Sequence, residues 1–310
     1  MSRGLLIGHA GDLAARTGCT VLLGPFRAAC ELRGHAMGTR QFDALSPFHV
    51  VDRVDALLLT GGSAFGLHAA EGVVQWLAER GRGFDTRVAR VPIVPGAVIY
   101  DLGVGRSDVR PDPAMGRAAC DAAVADNPAE GRVGAGMGAT VGKLLGPERA
   151  MHGGLGRFRA RSGSDEVLAL AVVNAVGDVR DGGGRIIAGA RNADGTFADA
   201  ARVVREASEP LAFAAPPAPG TSTTLAVVAT DAPLDRVALH ALARMAGAAL
   251  AHRITPVFTP FDGDIVIALS TAPAAREATP ADLLRIGTTA TWALENAIER
   301  AVLDSHMESS

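Results

Sequence analysis

The segment from residue 211 to residue 231 constrains the fold more than any other part of the sequence. It begins with a run rich in proline and alanine, LAFAAPPAPG, and continues with four hydroxyl residues, TSTT, and an apolar run, LAVVATD. Proline lacks the N–H group that a sheet ladder requires, so the first part cannot join a sheet. The apolar run has the composition of a buried strand. The sequence therefore predicts a surface linker over residues 209–222 that leads directly into a buried strand.

The hydroxyl residues at this junction allow two interpretations. Threonine is a common strand residue and hydroxyl groups cap turns, so residues 221–224 can simply begin a strand, and this stretch alone favours that interpretation. Alternatively, the chain cuts itself before Thr223, which then carries a free α-amine with a pKa of about 8. That amine can take the proton of the Thr223 hydroxyl, so one residue supplies both nucleophile and base. The second interpretation predicts cleavage between Ser222 and Thr223.

Composition narrows the class of protein. The chain has 310 residues, of which 48% are hydrophobic and only 4% are aromatic, so its core must be built from Ala, Val, Leu and Ile. A formal net charge of −3 gives no electrostatic basis for binding nucleic acid or an anionic membrane. The three cysteines are scattered and form no CxxC pair, which argues against a disulfide scaffold or a zinc site. No apolar run is long enough to span a membrane, so we expect a cytoplasmic protein.

Residues 55–80 form the clearest secondary-structure unit. The pattern predicts a buried strand at residues 57–59, a turn at Gly61 and Gly62, an N-cap at Ser63 and then a helix. The unit does not match GxGxxG, because Ser63 stands at the middle glycine. It does not match GxSxG, because Phe65 stands at the second glycine. We therefore expect a capped tight turn that lines a pocket.

Residues 131–146, GRVGAGMGATVGKLLG, look like a phosphate loop but do not fit its motif. In GxxxxGK the first glycine would be Met137, and Leu144 stands where Ser or Thr coordinates magnesium. The segment does carry Lys143, which is the only lysine in the chain. A desolvated ammonium can tune a neighbouring amine or stabilise charge, whereas a surface lysine only covers apolar area with its stem. The sequence alone leaves both roles open.

Four further polar residues occur at the ends of predicted strands. Tyr100, the only tyrosine, ends an extended segment, and Asn174 ends a buried strand over residues 166–174. Asp262 and Asp264 directly precede an apolar run. Each type has an ordinary structural role: ring packing for tyrosine, a turn for asparagine and hairpin capping for aspartate. Beside a nucleophile, two such carboxylates can instead share a proton and orient an ammonium.

Strands and alanine-rich helices alternate through the whole chain. Predicted strands include residues 166–174 and 224–231, and the longest predicted helices cover residues 233–254 and 279–305. The strands that follow the junction need partners from the first part of the chain. We therefore predict one compact layered α/β domain over residues 1–310.

An ordered set of motifs resembles the DmpA-type L-aminopeptidase/D-esterase family and its relatives, the β-peptidyl aminopeptidases and the nylon-oligomer hydrolase NylC. The motifs run over nearly the whole chain: TGCTVLL, LLLTGGSAFGL, GAVIYDLG, GRVGAGMGATVGK, LAVVNAVGDV, TSTTLAVVATDA and FDGDIVIALST. The resemblance implies an αββα sandwich, shared with ornithine acetyltransferases, and a self-processing N-terminal-nucleophile hydrolase of small peptides or amides. It also implies an α chain of residues 1–222, a β chain of residues 223–310, a homo-oligomer of αβ units, and no metal or organic cofactor.

The same resemblance gives each polar residue singled out above a role. Thr223 resembles the nucleophile, and Lys143 resembles the lysine near the new amine. The oxyanion pocket of the family has an asparagine and a tyrosine, which Asn174 and Tyr100 resemble. The remaining two residues resemble an acidic pair that assists cleavage and positions the nucleophile; they are Asp262 and Asp264.

The sequence departs from the family pattern at two places. Ser222 precedes the cleavage site where the family usually has Asn, which predicts slower self-processing or a cut at another of the hydroxyl residues 221–224. The alignment with the apolar strand favours Thr223. The family's GGAPGTRE segment appears as GHAMGTRQ, with His35 and Gln41 altered, and this change bears on substrate preference.

Two alternatives to a hydrolase remain open at this stage. An acyltransferase of the ornithine acetyltransferase type would also cleave itself before a threonine, but would pass the acyl group to an amine. A binding or structural protein could retain the fold and pocket without processing. The second alternative predicts an uncut chain that does not react with activated esters.

Overall fold

A computed structural model describes residues 5–125, 128–208 and 221–307 of the chain, so most of the predicted linker lies outside the described residues. The strands are β1 Leu6–Asp12, β2 Thr17–Leu32, β3 Thr39–Arg40, β4 Val54–Thr60, β5 Phe84–Asp85, β6 Arg90–Val91, β7 Gly96–Val98, β8 Thr140–Val141, β9 Met151–His152, β10 Gly154–Ser162, β11 Asp165–Asn174, β12 Asp178–Arg180, β13 Ile186–Ala188, β14 Thr223–Thr230, β15 Ile254–Thr255 and β16 Ile265–Ser270. The helices are α1 Ser63–Gly66, α2 Ala69–Ala78, α3 Pro113–Asp121, α4 Ala200–Glu206, α5 Arg236–Ala246, α6 Ala248–Arg253 and α7 Pro280–Met307.

Nine strands in the described ranges form one continuous sheet. The strand order is β10-β11-β14-β16-β2-β4-β7-β3, and β1 pairs with β2. The long strand β2 links two halves of this sheet, because its residues 17–23 pair with β1 and its residues 27–32 pair with β16. The register with β4 shifts between Leu23 and Phe26, where β2 passes from one half to the other.

Alternating apolar residues build the core in layers. Along β14, Leu225 and Val227 face a core that they share with β4 of the other half-sheet. The intervening residues Ala226 and Val228 face the opposite way, onto the helices α5, α6 and α7. On the other side of β4, Leu58 packs with α2 and α3. The layers therefore follow the order helix, sheet, sheet, helix, which confirms the predicted mixed α/β class and its αββα arrangement.

Two helix predictions need correction. Ser63 is the first residue of α1 and not its N-cap; the N-cap is Gly62, whose φ of 76° lies in the left-handed region and whose N–H donates to the buried side chain of Asp101. The helix over residues 233–254 begins only at α5, after Asp235 accepts a hydrogen bond from Ala238 N, and it is interrupted at Gly247. An aspartate side chain therefore caps the start of α5, whereas α1 begins after a left-handed glycine with no side-chain cap.

Candidate active site

The junction between Ser222 and Thr223 lies where three strands of the sheet begin or end. Thr223 is the first residue of β14 and pairs with Asn174, the last residue of β11, because these two strands are antiparallel. Strand β16 runs parallel to β14, so its start lies at the same edge, and Ser222 forms a bridge with Asp262. Topology therefore brings together polar residues that are far apart in the sequence.

The cleavage junction is buried, in contrast to the predicted surface position. Ser222 is fully buried and Thr223 is 3% exposed. The reason is that strand pairing extends one residue upstream of β14, where Ser222 forms a bridge with Asp262. The junction therefore lies within the sheet. Of the predicted linker, residues 209–220 lie outside the described residues.

The carbonyl oxygen of Ser222 accepts two hydrogen bonds. Gly263 N donates to it at 2.8 Å, and Thr223 Oγ1 donates to it at 2.6 Å. A Cβ atom on Gly263 would lie 2.8 Å from Thr223 Oγ1 and 2.7 Å from the carbonyl oxygen of Ala36. Glycine is therefore required at residue 263 for its N–H group to approach this carbonyl so closely.

Lys143 lies in a short 3-10 turn, and its ammonium is enclosed by four oxygen atoms. Its Nζ lies 2.6 Å from Asn174 Oδ1 and 3.3 Å from the Asn174 carbonyl oxygen. It lies 3.1 Å from the Thr221 carbonyl oxygen and 3.4 Å from Ser222 Oγ. Burial lowers the pKa of Lys143 from 10.5 to about 7, and the carboxylates of three nearby aspartates oppose this shift; they are Asp262, Asp101 and Asp264.

Hydrogen bonds fix the Asn174 side chain at both ends. Asn174 is fully buried, and its Oδ1 accepts from Lys143 Nζ and from Thr140 N at 3.1 Å. Its Nδ2 donates to the carbonyl oxygen of Tyr100 at 3.2 Å and to that of Thr221 at 3.4 Å. In the uncut chain the amide thus contacts the carbonyl one residue before the scissile bond, while Gly263 contacts the scissile carbonyl itself.

The two aspartates at the start of β16 are buried in different environments. Asp264 Oδ1 accepts from Thr224 N at 2.7 Å and its Oδ2 accepts from Phe258 N at 3.3 Å. Burial and the neighbouring Asp262 carboxylate raise the pKa of Asp264 well above its usual range. Asp262 Oδ2 accepts from both the N–H and the hydroxyl of Thr259, whereas its Oδ1 is buried with no hydrogen-bond partner in the described part of the chain. A buried carboxylate oxygen without a partner is costly and indicates a position where a donor is expected.

Tyr100 reaches the site through its backbone. Its carbonyl oxygen accepts from Asn174 Nδ2, and the residue is partly exposed. Among the described residues, no hydrogen bond involves the phenol hydroxyl. In the described residues, Tyr100 therefore joins the hydrogen bonds around Asn174 through its backbone carbonyl and not through its phenol hydroxyl.

The sequence reasoning missed Asp101, which follows Tyr100. It is 3% exposed, its Oδ1 accepts from Gly62 N at 2.7 Å, and its Oδ2 accepts from Thr17 Oγ1 at 2.8 Å. Burial raises the pKa of Asp101. A Cβ on Gly61 would lie 2.1 Å from Asp101 Oδ2, so the Gly-Gly turn leaves room for this carboxylate. The signal in the sequence was a glycine-rich turn that matched no nucleotide motif.

The GHAMGTRQ segment packs against the acidic pair. His35 N and Ala36 N donate to the Asp262 carbonyl oxygen at 2.7 and 3.1 Å, and Gly34 N donates to that of Asp264 at 3.0 Å. His35, one of the two residues that differ from the family's segment, thus hydrogen-bonds the turn that contains Gly263. Gln41 instead accepts a hydrogen bond from Val94 N through its Oε1, at 3.0 Å.

Two further features are absent from the described residues. In ranges 5–125, 128–208 and 221–307, no group of three or more His, Cys, Asp and Glu side chains is arranged to hold a metal ion. In the same ranges, no helix is both long and apolar enough to cross a membrane.

The fold matches solved structures over almost the whole chain. The L-aminopeptidase D-Ala-esterase/amidase of Ochrobactrum anthropi, described as a variant of the Ntn hydrolase fold, superposes with a TM-score of 0.70 at 18% identity, covering 96% of this chain and 83% of that one. A Burkholderia sp. β-aminopeptidase superposes with a TM-score of 0.68 at 20% identity, covering 96% and 84%. At these identities the likeness concerns the fold.

Two relatives match at higher sequence identity. An uncharacterized aminopeptidase of Mycobacterium bovis is 42% identical over 267 residues, covering 83% of this chain and 74% of the relative. A 6-aminohexanoate-oligomer endohydrolase of Agromyces sp. is 34% identical over 271 residues, covering 86% and 73%.

Together, the relatives and the family model identify a hydrolase of peptide or amide bonds, of the DmpA and NylC type. The model of peptidase family S58 matches residues 3–309. The chain belongs to peptidase family S58.

Proposed function

We propose that this protein cuts its own chain before Thr223 and then hydrolyses small peptides or amides through an ester on the Thr223 hydroxyl. The observation that carries the proposal is the geometry of the Ser222 carbonyl. Its oxygen accepts the Gly263 N–H at 2.8 Å, and the Thr223 hydroxyl lies directly beside it. A backbone donor at a reacting carbonyl stabilises the negative charge that develops on the oxygen during attack.

In the first reaction, Thr223 Oγ1 attacks the carbonyl carbon of Ser222. The C–N bond to Thr223 breaks, an ester forms, and the hydroxyl proton ends on the leaving nitrogen, which becomes the α-amine of Thr223. Lys143 provides a base whose pKa, about 7, lies close to neutrality. Water then hydrolyses the ester and releases residues 1–222 from residues 223–310.

After the cut, the α-amine of Thr223 can serve as the base for its own hydroxyl. The unpartnered Oδ1 of Asp262 supports this proposal, because the cut creates a new cationic donor at the residue next to its bridge partner Ser222. Each turnover repeats the same chemistry on an external amide. Gly263 N–H remains the donor to the oxyanion, while Asn174 orients Lys143 and the acyl side of the substrate.

The names of the relatives suggest two substrate classes. The mycobacterial relatives are named aminopeptidases, and the relatives from Agromyces and Kocuria are named 6-aminohexanoate-oligomer endohydrolases. We propose amides of small peptides or amino-acid oligomers as substrates of this chain. A cytoplasmic location and a homo-oligomer of αβ units stay predictions.

The test is intact mass and N-terminal sequencing of the purified protein beside its Thr223→Ala and Thr223→Ser variants. We expect the wild type and the serine variant to yield a fragment that starts at residue 223, because both retain a hydroxyl, and the alanine variant to stay whole. An uncut wild-type chain after long incubation would refute self-cleavage. For the cut protein, release of an activated ester's leaving group without an added amine indicates a hydrolase, whereas dependence on an amine acceptor would indicate an acyltransferase.

A further inference from the structure

We propose that residues 221 and 222 of the uncut chain occupy the acyl side of the substrate site, so that this enzyme prefers chains with an amide carbonyl one residue before the scissile bond. The inference rests on the proposed function and specifies its substrate class. It predicts cleavage within a chain or after a blocked residue, in preference to removal of a free amino-terminal residue.

The chemical reason is that self-cleavage and turnover pass through the same kind of ester. Attack of Thr223 Oγ1 on Ser222 gives an ester in which residues 1–222 form the acyl group. Attack on a substrate amide gives the same ester with the substrate's acyl group, and its amine departs with the hydroxyl proton. Water hydrolyses both esters, returning a proton to Thr223 Oγ1 and leaving a carboxylic acid. The contacts of the upstream chain in the uncut protein therefore define an acyl subsite.

Two side-chain donors meet at the carbonyl oxygen of Thr221. Lys143 Nζ lies 3.1 Å from it and Asn174 Nδ2 lies 3.4 Å from it. Both donors are also held by other partners, since Lys143 contacts Asn174 Oδ1 at 2.6 Å and Asn174 contacts the Tyr100 carbonyl. The subsite is thus built from fixed side chains, and a substrate carbonyl in the same place would accept from both.

A substrate with a free amino terminus at the position of Ser222 fits this arrangement less well. It has no carbonyl to accept from Lys143 and Asn174, and two donors in an enclosed site would lose an acceptor. Its ammonium would lie where the Ser222 nitrogen lies, two bonds from the Thr221 carbonyl oxygen and close to Lys143 Nζ. Whenever Lys143 is protonated, two cations at such a separation repel each other.

The residue before the scissile bond is also restricted in size. The Ser222 side chain is fully buried, and its Oγ lies 3.4 Å from Lys143 Nζ. A larger side chain at this position would have to displace packed atoms, whereas serine or alanine fits the space. The acyl subsite therefore favours a small residue.

The test compares matched p-nitroanilides with the self-cleaved enzyme: serine p-nitroanilide, N-acetylserine p-nitroanilide and N-acetylleucine p-nitroanilide. The acetyl group supplies the carbonyl that Thr221 supplies in the uncut chain. We expect kcat/KM for N-acetylserine to exceed that for free serine by about tenfold or more, the usual effect of one buried hydrogen-bond acceptor. We expect N-acetylleucine to be cut more slowly than N-acetylserine.

Faster turnover of the free serine anilide would overturn the inference, as would a cut enzyme that turned over none of the three. A faster reaction with N-acetylleucine would overturn the size restriction. The proposed function fails separately, by the absence of a Thr223 amino terminus or by equal activity in the Thr223→Ala variant. The two failures are therefore distinguishable.

Discussion

The two ends of the central strand β14 both contain buried polar residues, yet only one end has the properties of an active site. At the far end, Thr230 and Ser270 are almost fully buried. Thr230 Oγ1 accepts from Ala232 N at 3.1 Å, and Ser270 Oγ donates to the Ala232 carbonyl at 2.6 Å. Every one of these contacts joins a neutral hydroxyl to backbone, which is the ordinary way to close a strand end.

At the near end the buried groups are titratable and incompletely paired. Lys143 has a pKa lowered to about 7, Asp264 has a raised pKa, and Asp262 Oδ1 has no partner in the described residues. Titratable groups with pKa values shifted by burial and by neighbouring charges cluster at functional sites. Burial of polar residues therefore does not distinguish the two ends of β14, but the pKa values and the hydrogen bonds of those residues do.

The largest effect is expected for Gly263→Ala. A Cβ would lie 2.8 Å from Thr223 Oγ1 and 2.7 Å from the Ala36 carbonyl oxygen, so the Gly263 N–H must move away from the Ser222 carbonyl. Loss of one oxyanion donor slows acyl transfer by about 100-fold or more. We expect the rate of self-cleavage, followed by mass spectrometry after refolding, to fall by this amount.

Gly182→Ala is the matched control, because the nearest atom to its added Cβ is the end of a flexible arginine at 3.4 Å. We expect it to cleave at the wild-type rate. Equal rates for Gly263→Ala and the wild type would remove the main support for a backbone oxyanion donor.

Most of the fold could be predicted from the sequence, because alternation of apolar residues specifies which face of each strand is buried. The run from Leu225 to Val228 indicated a central strand, and the structure places its two faces in two different cores. The polar residues at the strand ends could also be identified. Their contacts could not, because Asn174 comes beside the junction only through the antiparallel pairing of β11 with β14, and Lys143 reaches Asn174 and Thr221 from a separate turn.

Two features of the site were beyond reach of the sequence for definite reasons. Asp101 resembles any loop aspartate until the positions of Thr17 and Gly62 are known. Gly263 is one of 37 glycines, and its role depends on the distance of its N–H to the Ser222 carbonyl. Both roles depend on contacts between residues that are far apart in the sequence, and no local pattern encodes such contacts.

The next largest effect is the contribution of Lys143 to the pH dependence of the free energy of unfolding. It is measured in the Thr223→Ala variant, which is expected to stay uncut. The pKa of Lys143 is about 7 in the folded chain and ordinarily 10.5, so between these values the unfolded chain binds more protons. Lys143 therefore makes the free energy of unfolding rise with pH in this window, by up to about 1.4 kcal/mol per pH unit. Urea denaturation at pH 7 to 10 measures this slope.

The comparison is the double variant Thr223→Ala/Lys143→Met, which lacks the titrating amine and keeps an apolar side chain of similar length. We expect the difference between the two free energies of unfolding to grow with pH in favour of the chain with lysine. Parallel curves would show that Lys143 titrates at its ordinary pKa. The raised pKa of Asp264 has the opposite effect on this slope. At pH values between its ordinary and its raised pKa, the free energy of unfolding falls as pH rises.

A smaller effect is expected for Asp101→Asn. An asparagine keeps the shape and can still pair with Gly62 N and Thr17 Oγ1, so the substitution mainly removes a negative charge. Because the Asp101 carboxylate raises the pKa of Lys143, we expect that pKa to fall by about one unit or less.

The single lysine makes this shift directly measurable. Protein labelled with 13C at the lysine ε-carbon gives one resonance, whose chemical shift against pH reports the pKa of Lys143. An unchanged midpoint in the Asp101→Asn variant would mean that Asp101 shapes the turn without acting on the charge of Lys143.

The smallest effect on chemistry is expected for Thr230→Val at the other end of β14. The substitution keeps the shape and removes the acceptor for Ala232 N, which costs about 1–2 kcal/mol in the free energy of unfolding. Thr230 is about 23 Å from Thr223 along the strand, at roughly 3.3 Å per residue. We therefore expect lower stability in urea with an unchanged rate of self-cleavage. A cleavage defect comparable to that of Gly263→Ala would mean that the strand transmits strain between its ends, and the site would then extend over the whole length of β14.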